Sequence, residues 1–151
     1  MRNKNSHHIN RDELAIGQLL HRVTRTHMER IHGSFERYGI QKTFGPILNV
    51  LSISEGMTQI ELADAMRITA PSMSVNLQKM EGAGLLIRKT DDDDMRQIRL
   101  YLTDEGRETA QQADREITLA EEKLVEALAP DEQQEFKRLL LKMLDNQEEE
   151  G

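Results

Sequence analysis

Between Thr58 and Thr103 the signals that start and stop helices stand so close together that few backbone paths can satisfy them all. Thr58-Gln59-Ile60-Glu61 is a capping box, in which the Thr hydroxyl and the Glu carboxylate each take an unpaired N–H at a helix start. Leu62, Ala63 and Met66 give that helix a short apolar face. Thr69-Ala70-Pro71 then stops and restarts the chain, because Pro suits a first helical turn but not an interior. From about Pro71 to Glu81, Met73, Leu77 and Met80 fall at i, i+4 and i+7, a stripe that must pack inward. At about 100° per residue, Pro71, Val75 and Gln78 point away from it, with Ser74 and Lys79 beside them and Ser72 nearer the edge. Gly82 and Gly84 end this helix, and Leu85 to Thr90 has the apolar, β-branched character of a strand. Asp91 to Met95 supplies a turn. Beyond it, Ile98, Leu100 and Leu102 alternate with Gln97, Arg99 and Tyr101, as on a half-buried strand. Two tightly coupled helices followed by a hairpin make a helix-turn-helix with a wing, which with a supporting helix spans about residues 44–103.

That supporting helix opens at Thr43, holds Pro46 in its first turn, carries Ile47, Leu48, Val50 and Leu51, and closes before Gly56. On its N-terminal side, Asn10-Arg11-Asp12-Glu13 resembles a cap, and Leu14, Leu19, Leu20, Val23, Met28, Ile31 and Phe35 recur at helical spacing. The pattern predicts one long helix over about 10–38. After the hairpin, Thr103 is a good N-cap, with Asp104 and Glu105 at the positive end of the helix dipole. The helix that follows carries Ala110, Ala113, Ile117, Ala120, Leu124, Ala127 and Leu128 on one stripe. Ala129-Pro130 interrupts it, and a last helix from Asp131 places Phe136, Leu139, Leu140, Met143 and Leu144 on one side, ahead of an acidic tail. The fold class is thus mainly α with a small β-hairpin wing, one domain over 1–151. Its terminal helices, about 10–38 and 104–148, have stripes longer than the winged helix between them can cover. A second copy is expected to cover them, which would set two recognition helices about one DNA turn apart, roughly 34–36 Å. Packing of both terminal helices within one chain is the competing arrangement.

Composition excludes several functions. With no Cys, disulfides, thiolate metal sites and thiol redox sensing are ruled out. No run approaches about 18 apolar residues, and Met1 to His8 lacks the apolar centre of a signal peptide, so a cytoplasmic location is expected. Gly-rich phosphate loops, His-Glu-x-x-His and Gly-x-Ser-x-Gly are all missing, so an enzyme is not expected. His21, His27 and His32 stand six and five residues apart, which puts no two imidazoles on neighbouring turns, and the Met residues read as core. Neither a metal nor a cofactor is expected. The net charge of -7 sits poorly with a polyanionic partner, but it is unevenly spread. Residues 1–56 carry 8 basic and 5 acidic side chains, residues 57–103 carry 6 and 7, and residues 104–151 carry 6 and 15. Acidity is concentrated in the C-terminal third.

These residues resemble the MarR (multiple antibiotic resistance regulator) family. The resemblance runs through Thr58-Gln-Ile-Glu-Leu-Ala63, Ala70-Pro-Ser-Met-Ser74, Met80-Glu-Gly-Ala-Gly-Leu-Leu-Ile-Arg88, Asp94-Met-Arg96 and Leu100-Tyr-Leu-Thr-Asp-Glu-Gly106, in family order and spacing. An Asp-x-Arg in the wing, followed seven residues later by a Thr that starts a helix, is its most diagnostic part. The resemblance implies a homodimeric regulator, of repressor type, on a pseudo-palindromic double-stranded DNA operator. Its recognition helix would enter the major groove and its wing the adjacent minor groove. Ser72 and Ser74 would contact bases or phosphates, and Val75, Gln78 and Lys79 would line the same face. Arg96 would be the wing arginine with Asp94 orienting it. By their place on the strand that enters the wing, Arg88 and Lys89 are candidate phosphate contacts, against the alternative that an exposed strand carries such charges for solubility. Two departures stand out: Val75 replaces a side chain that is often long and basic in relatives, and Asp91 to Asp94 make the wing acidic, so that it would repel the DNA backbone unless the tip bends those carboxylates away or Arg96 and Arg99 pair with some of them. A thymine methyl is the base feature Val can touch. The resemblance also implies a small aromatic or phenolic effector between the terminal helices and the winged helix, with His21, Arg22, Arg25 and His27 as its contacts. An alternative class, a winged helix used as a protein-interaction module, is favoured by the acidic wing and by Val75.

Overall fold

A computed structural model describes residues 11–148. A short 3-10 turn, Arg11–Glu13, precedes helices α1 (Ile16–Arg37), α2 (Phe44–Ile53), α3 (Gln59–Ala65) and α4 (Ala70–Gly82). Strands β1 (Leu86–Thr90) and β2 (Ile98–Leu102) pair antiparallel, with Leu86 opposite Leu102 and Thr90 opposite Ile98. Helices α5 (Asp104–Val125) and α6 (Pro130–Glu148) follow. The winged helix-turn-helix and its flanking helices are therefore arranged as the patterning predicts.

The single helix expected over 10–38 is corrected at its start. The chain makes one 3-10 turn and enters α1 only at Ile16, where Gln18 Oε1 accepts the otherwise unpaired N–H of Ala15 at 3.0 Å. Asn10, His7 and His8 lie outside the described residues. At the other end α5 stops at Val125, and a turn closed by Leu128 N–H on the Val125 carbonyl removes Ala127 from the stripe.

The core is built where the spacing places it. Met73, Leu77 and Met80 of α4 have no exposed surface, and they join Leu62 of α3, Ile47, Leu48 and Leu51 of α2, and Leu100 and Leu102 of β2. Each such side chain contributes roughly 1.5–3 kcal/mol on burial, so this cluster holds the recognition helix in place. Ala110, Ala113 and Ala120 are buried on α5, and their small size lets α1 and α2 lie close against it. Ile98 departs from its expected partners: it is 50% exposed, because the hairpin outruns the core beneath it. Strand β2 also gains an unforeseen neighbour. Leu100 N–H donates to the Met57 carbonyl and Gly56 N–H to the Leu100 carbonyl, both at 2.9 Å, so residues 56–58 lie along its other edge.

Two glycines fix how α4 meets the wing and α5. Gly84, at φ +73, reverses the chain after α4 in a left-handed conformation that costs glycine little. Gly106 permits a close approach: a Cβ there would stand 1.9 Å from the Leu85 carbonyl oxygen. Beside it the Thr103 hydroxyl donates to the Gly84 carbonyl at 2.6 Å and accepts from Gly106 N–H at 2.9 Å, capping α5 as expected. Gly106→Ala is expected to lower stability by about 3 kcal/mol through backbone displacement. Gly82→Ala, in a helix with nothing within 4 Å of the new Cβ, should be neutral or slightly stabilising. Urea midpoints of the two variants test the contrast.

Candidate nucleic-acid interface

The face of α4 opposite the core stripe is open to solvent. Ser72, Val75, Gln78 and Lys79 are exposed on it and Ser74 is half-buried, so five of the eight expected contacts stand on one helix. Ser72 is already partly engaged: its hydroxyl accepts from Thr69 Oγ at 3.0 Å, across the first turn of the helix. The capping box of α3 forms as its residues dictate. Thr58 N–H donates to Glu61 Oε2 at 2.7 Å and Glu61 N–H to the Thr58 hydroxyl at 3.3 Å. The Thr58 backbone N–H, then its hydroxyl, hold the Glu61 carboxyl below the usual carboxylate range.

The wing resolves half of its own acidity. Asp91 Oδ1 accepts the N–H groups of Asp93 and Asp94 at 2.8 and 2.9 Å, and its other oxygen pairs with Arg99 Nε. Arg99 also donates from Nη1 to the Gly56 carbonyl at 2.8 Å, pinning the root of the wing to the connection between α2 and α3. The Arg99 hydrogen bond, reinforced by the two backbone N–H groups, lowers the Asp91 pKa to about 2. Asp94 accepts the backbone N–H of Arg96 at 3.1 Å and the Gln97 side-chain amide at 3.1 Å. Asp94 thus shapes the turn that presents Arg96 and makes no ion pair with its guanidinium. Asp92 and Asp93 remain exposed at the tip.

Arg88 is differently placed from the other candidates. Its Nε donates to Glu81 Oε2 at 3.1 Å and its Nη1 to Gln59 Oε1 at 3.4 Å. It spans the end of α4, the start of α3 and β1, and its side chain is only 27% exposed. Lys89 Nζ lies over the Tyr101 ring, 5.0 Å from its centroid. Of the two arginines open to pairing with the wing aspartates, Arg99 does so and Arg96 does not, while nothing in the sequence spacing pointed to Glu55. Glu55 accepts from Leu102 N–H at 3.2 Å and pairs with Arg107, joining the end of α2 to the start of α5. Leu102 and Arg107 are 47 and 52 residues from Glu55, and the Gly56 carbonyl is 43 from Arg99, whereas Asp91 is only eight residues from Arg99.

The four residues expected to meet an effector line one cavity of about 610 Å³. His21, Arg22, Arg25 and His27 stand there with Arg30, beside apolar walls from Leu14, Leu19, Val23 and Leu124. Its walls come from Leu14, from α1 and from Leu124 at the end of α5, so it lies apart from the cleft against the winged helix. The Nδ1 atom of His27 is buried without a hydrogen-bond partner among the described residues. No group of three or more His, Asp or Glu among those residues is placed to hold a metal ion, and no helix among them is long and apolar enough to cross a membrane.

Known proteins share this arrangement. A model of the MarR family matches residues 38–97. The HTH-type transcriptional repressor Rv2887 of Mycobacterium tuberculosis is 30% identical over 132 residues, 87% of this chain and 95% of the relative. Its counterpart Mb2911 of Mycobacterium bovis is 30% identical over the same shares. Among solved structures, the MepR–DNA complex of S. aureus superposes with a TM-score of 0.78 at 26% identity, covering 89% of this chain and 99% of that one. The repressor CouR bound to a 23-mer DNA duplex gives 0.75 at 26%, over 86% and 92%. Apo wild-type MarR from E. coli, at 20% identity, shares the fold with a TM-score of 0.73 over 87% and 98%. The chain belongs to the MarR family of winged helix transcription regulators.

The Asp91–Arg99 pair makes the wing sensitive to acid. A carboxyl whose folded pKa is depressed contributes stability that is complete above its unfolded value, near 3.8, and lost as pH falls through about 2. Hydrogen exchange of the amides of residues 93 and 94 should therefore accelerate in the wild type as pH is lowered across that window, relative to the intrinsic rate. In Asp91→Ala, which has no side-chain acceptor, their protection should already be low and should not change across it.

Proposed function

We propose that this protein is a cytoplasmic transcriptional repressor without enzymatic activity, which binds a pseudo-palindromic operator as a homodimer and is modulated by a small anionic ligand. The observation that carries the reading is the exposed face of α4 set beside a wing whose Arg96 guanidinium makes no ion pair among the described residues. Residues 1–151 act as one unit. Ser72, Ser74, Val75 and Gln78 meet base edges or phosphates in the major groove, and Lys79 adds charge beside them. Arg96 enters the adjacent minor groove, held out by the turn that Asp94 braces. Arg88 supports the interface from within through Glu81 and Gln59, which favours a bracing role over a phosphate contact. DNA-bound MepR and CouR, both 26% identical over most of their lengths, support this orientation.

The homodimer has a physical motive. Ile16 is 70% exposed, and Leu19 and Val23 of α1 and Leu139, Met143 and Leu144 of α6 are more than a third exposed. Helix α6 meets Ile16 and Leu20 across an open groove of about 780 Å³. Apolar faces of this extent are stable in water when a partner covers them, and a twofold copy brings the same faces. The cavity of His21, Arg22, Arg25 and His27 combines cationic groups with aliphatic walls, which suits an aromatic carboxylate or phenolate. Because it lies on the terminal helices, an occupant would act through the relation between the two subunits.

Fluorescence anisotropy with DNA from the region upstream of its own coding sequence tests the reading. Affinity should fall linearly in log salt, and Arg96→Ala should weaken binding and flatten that slope by about two units per dimer. Adding benzoate should lower the affinity of the wild type and leave that of Arg22→Ala unchanged. Salt-independent binding, or equal affinity for random DNA, would instead favour a protein-interaction module. In light scattering, Leu140→Glu should convert the dimer to a monomer, and its operator affinity should drop by more than about tenfold because only one half-site is then held.

A further inference from the structure

The stretch from residue 57 to residue 103 holds six cationic side chains: Arg67, Lys79, Arg88, Lys89, Arg96 and Arg99. Three of them are used inside the molecule. Arg88 is bound to Glu81 and Gln59, Arg99 to Asp91 and the Gly56 carbonyl, and Lys89 is stacked over Tyr101. Among the described residues Lys79, Arg96 and Arg67 have no ion pair. The first two already belong to the proposed DNA face. Arg67 sits in the turn between α3 and α4, is exposed, and has φ +52.

That backbone angle is the informative part. Helix α3 ends at Ala65, and the chain turns by placing residue 67 in the left-handed region, with Arg67 N–H on the Asp64 carbonyl at 3.1 Å and Ile68 N–H on the Ala63 carbonyl at 3.0 Å. Glycine adopts this conformation freely, whereas a side chain with a Cβ is strained in it. The position therefore calls for Gly and holds a long cation instead. Strain kept at an exposed position, with no partner among the described residues to reward it, points to a partner outside the chain. The turn joins the first helix of the motif, which in such proteins crosses the DNA backbone, to Thr69, the N-cap of the recognition helix, and helix N-termini also contact phosphates.

We propose that Arg67 is a phosphate-contacting residue of the helix-turn-helix, one of three cations per subunit that carry the non-specific electrostatic attraction. This rests on the DNA-binding reading above. A head of nearly balanced charge has few cations to spare, so a third contact changes its affinity appreciably. The contact is sequence-independent, since a guanidinium on a phosphate fixes register and reads no base.

The role predicts effects of opposite sign on folding and on binding. Arg67→Gly should raise the thermal midpoint by a few degrees, because the strain is relieved. The same variant should weaken binding to a fluorescein-labelled mixed-sequence duplex of about thirty base pairs by roughly tenfold, and flatten the log–log salt slope by about two units per dimer. Arg67→Gln should flatten the slope equally without the gain in thermal midpoint, and Arg67→Lys should keep most of the slope. If the wild type shows a steep slope that Arg96→Ala reduces while Arg67→Gly and Arg67→Gln leave it unchanged, the assignment of Arg67 is overturned and the DNA-binding reading stands. A flat slope in the wild type overturns both.

Discussion

The carbonyl oxygen of Leu85 occupies the space where a side chain at residue 106 would begin, and much of the architecture depends on that contact. It presses the start of the wing against the first turn of α5, while the Thr103 hydroxyl bridges Gly84 and Gly106. The end of the recognition helix, the root of the wing and the start of the long terminal helix thus meet at one point. Glu55 adds a second tie, through Leu102 and Arg107, between α2 and the same turn of α5. A displacement of α5 must carry the reading head with it, because packed backbone at such a contact has no room to absorb the motion. Through such a junction, a ligand bound among the terminal helices would alter where the recognition helix lies.

Electrostatics in the reading head follow from how few charges remain uncommitted. Asp91 takes Arg99, Glu81 takes Arg88, and the Tyr101 ring takes Lys89, so half of its cations organise the scaffold. The acidic run of the wing, which as sequence suggests repulsion from a phosphate backbone, is in part a folding device. Asp91 caps two amides and holds one guanidinium, and Asp94 caps a third amide, so only Asp92 and Asp93 stay unused at the tip.

Legibility in the sequence divided along the range of the interactions. The capping box at Thr58, the Thr103 cap and the Met73, Leu77, Met80 stripe depend on partners three to seven residues away, and each formed as its spacing dictated. The pairing of Arg99 with a wing aspartate was legible eight residues away, but Arg99 also binds Gly56 and Glu55 binds Leu102, 43 and 47 residues distant, and Glu116 is buried against Gln112 and near Arg37 of another helix. No periodicity announces such contacts. The start of α1 was hidden for a different reason: an acidic, cap-like segment at Asp12 and Glu13 forms a 3-10 turn, while the real start is capped by Gln18 reaching back to Ala15. The break before the recognition helix was legible at Thr69-Ala70-Pro71, but its left-handed residue was not, because Arg67 stands where glycine usually marks such an angle. Ile98 alternated correctly but lies beyond the end of the core, and alternation carries no information about where a core stops.

The uncovered apolar faces of α1 and α6 bear on more than assembly. A chain that hides such surface only by pairing has a stability that follows mass action, so its melting temperature must climb with its own concentration. Dilution then acts on folding and occupancy together: fewer chains means fewer pairs, less stable chains, and faster loss to proteolysis. Copy number thereby becomes a regulatory variable in its own right, and occupancy of a two-half-site operator would respond to it more sharply than to first power.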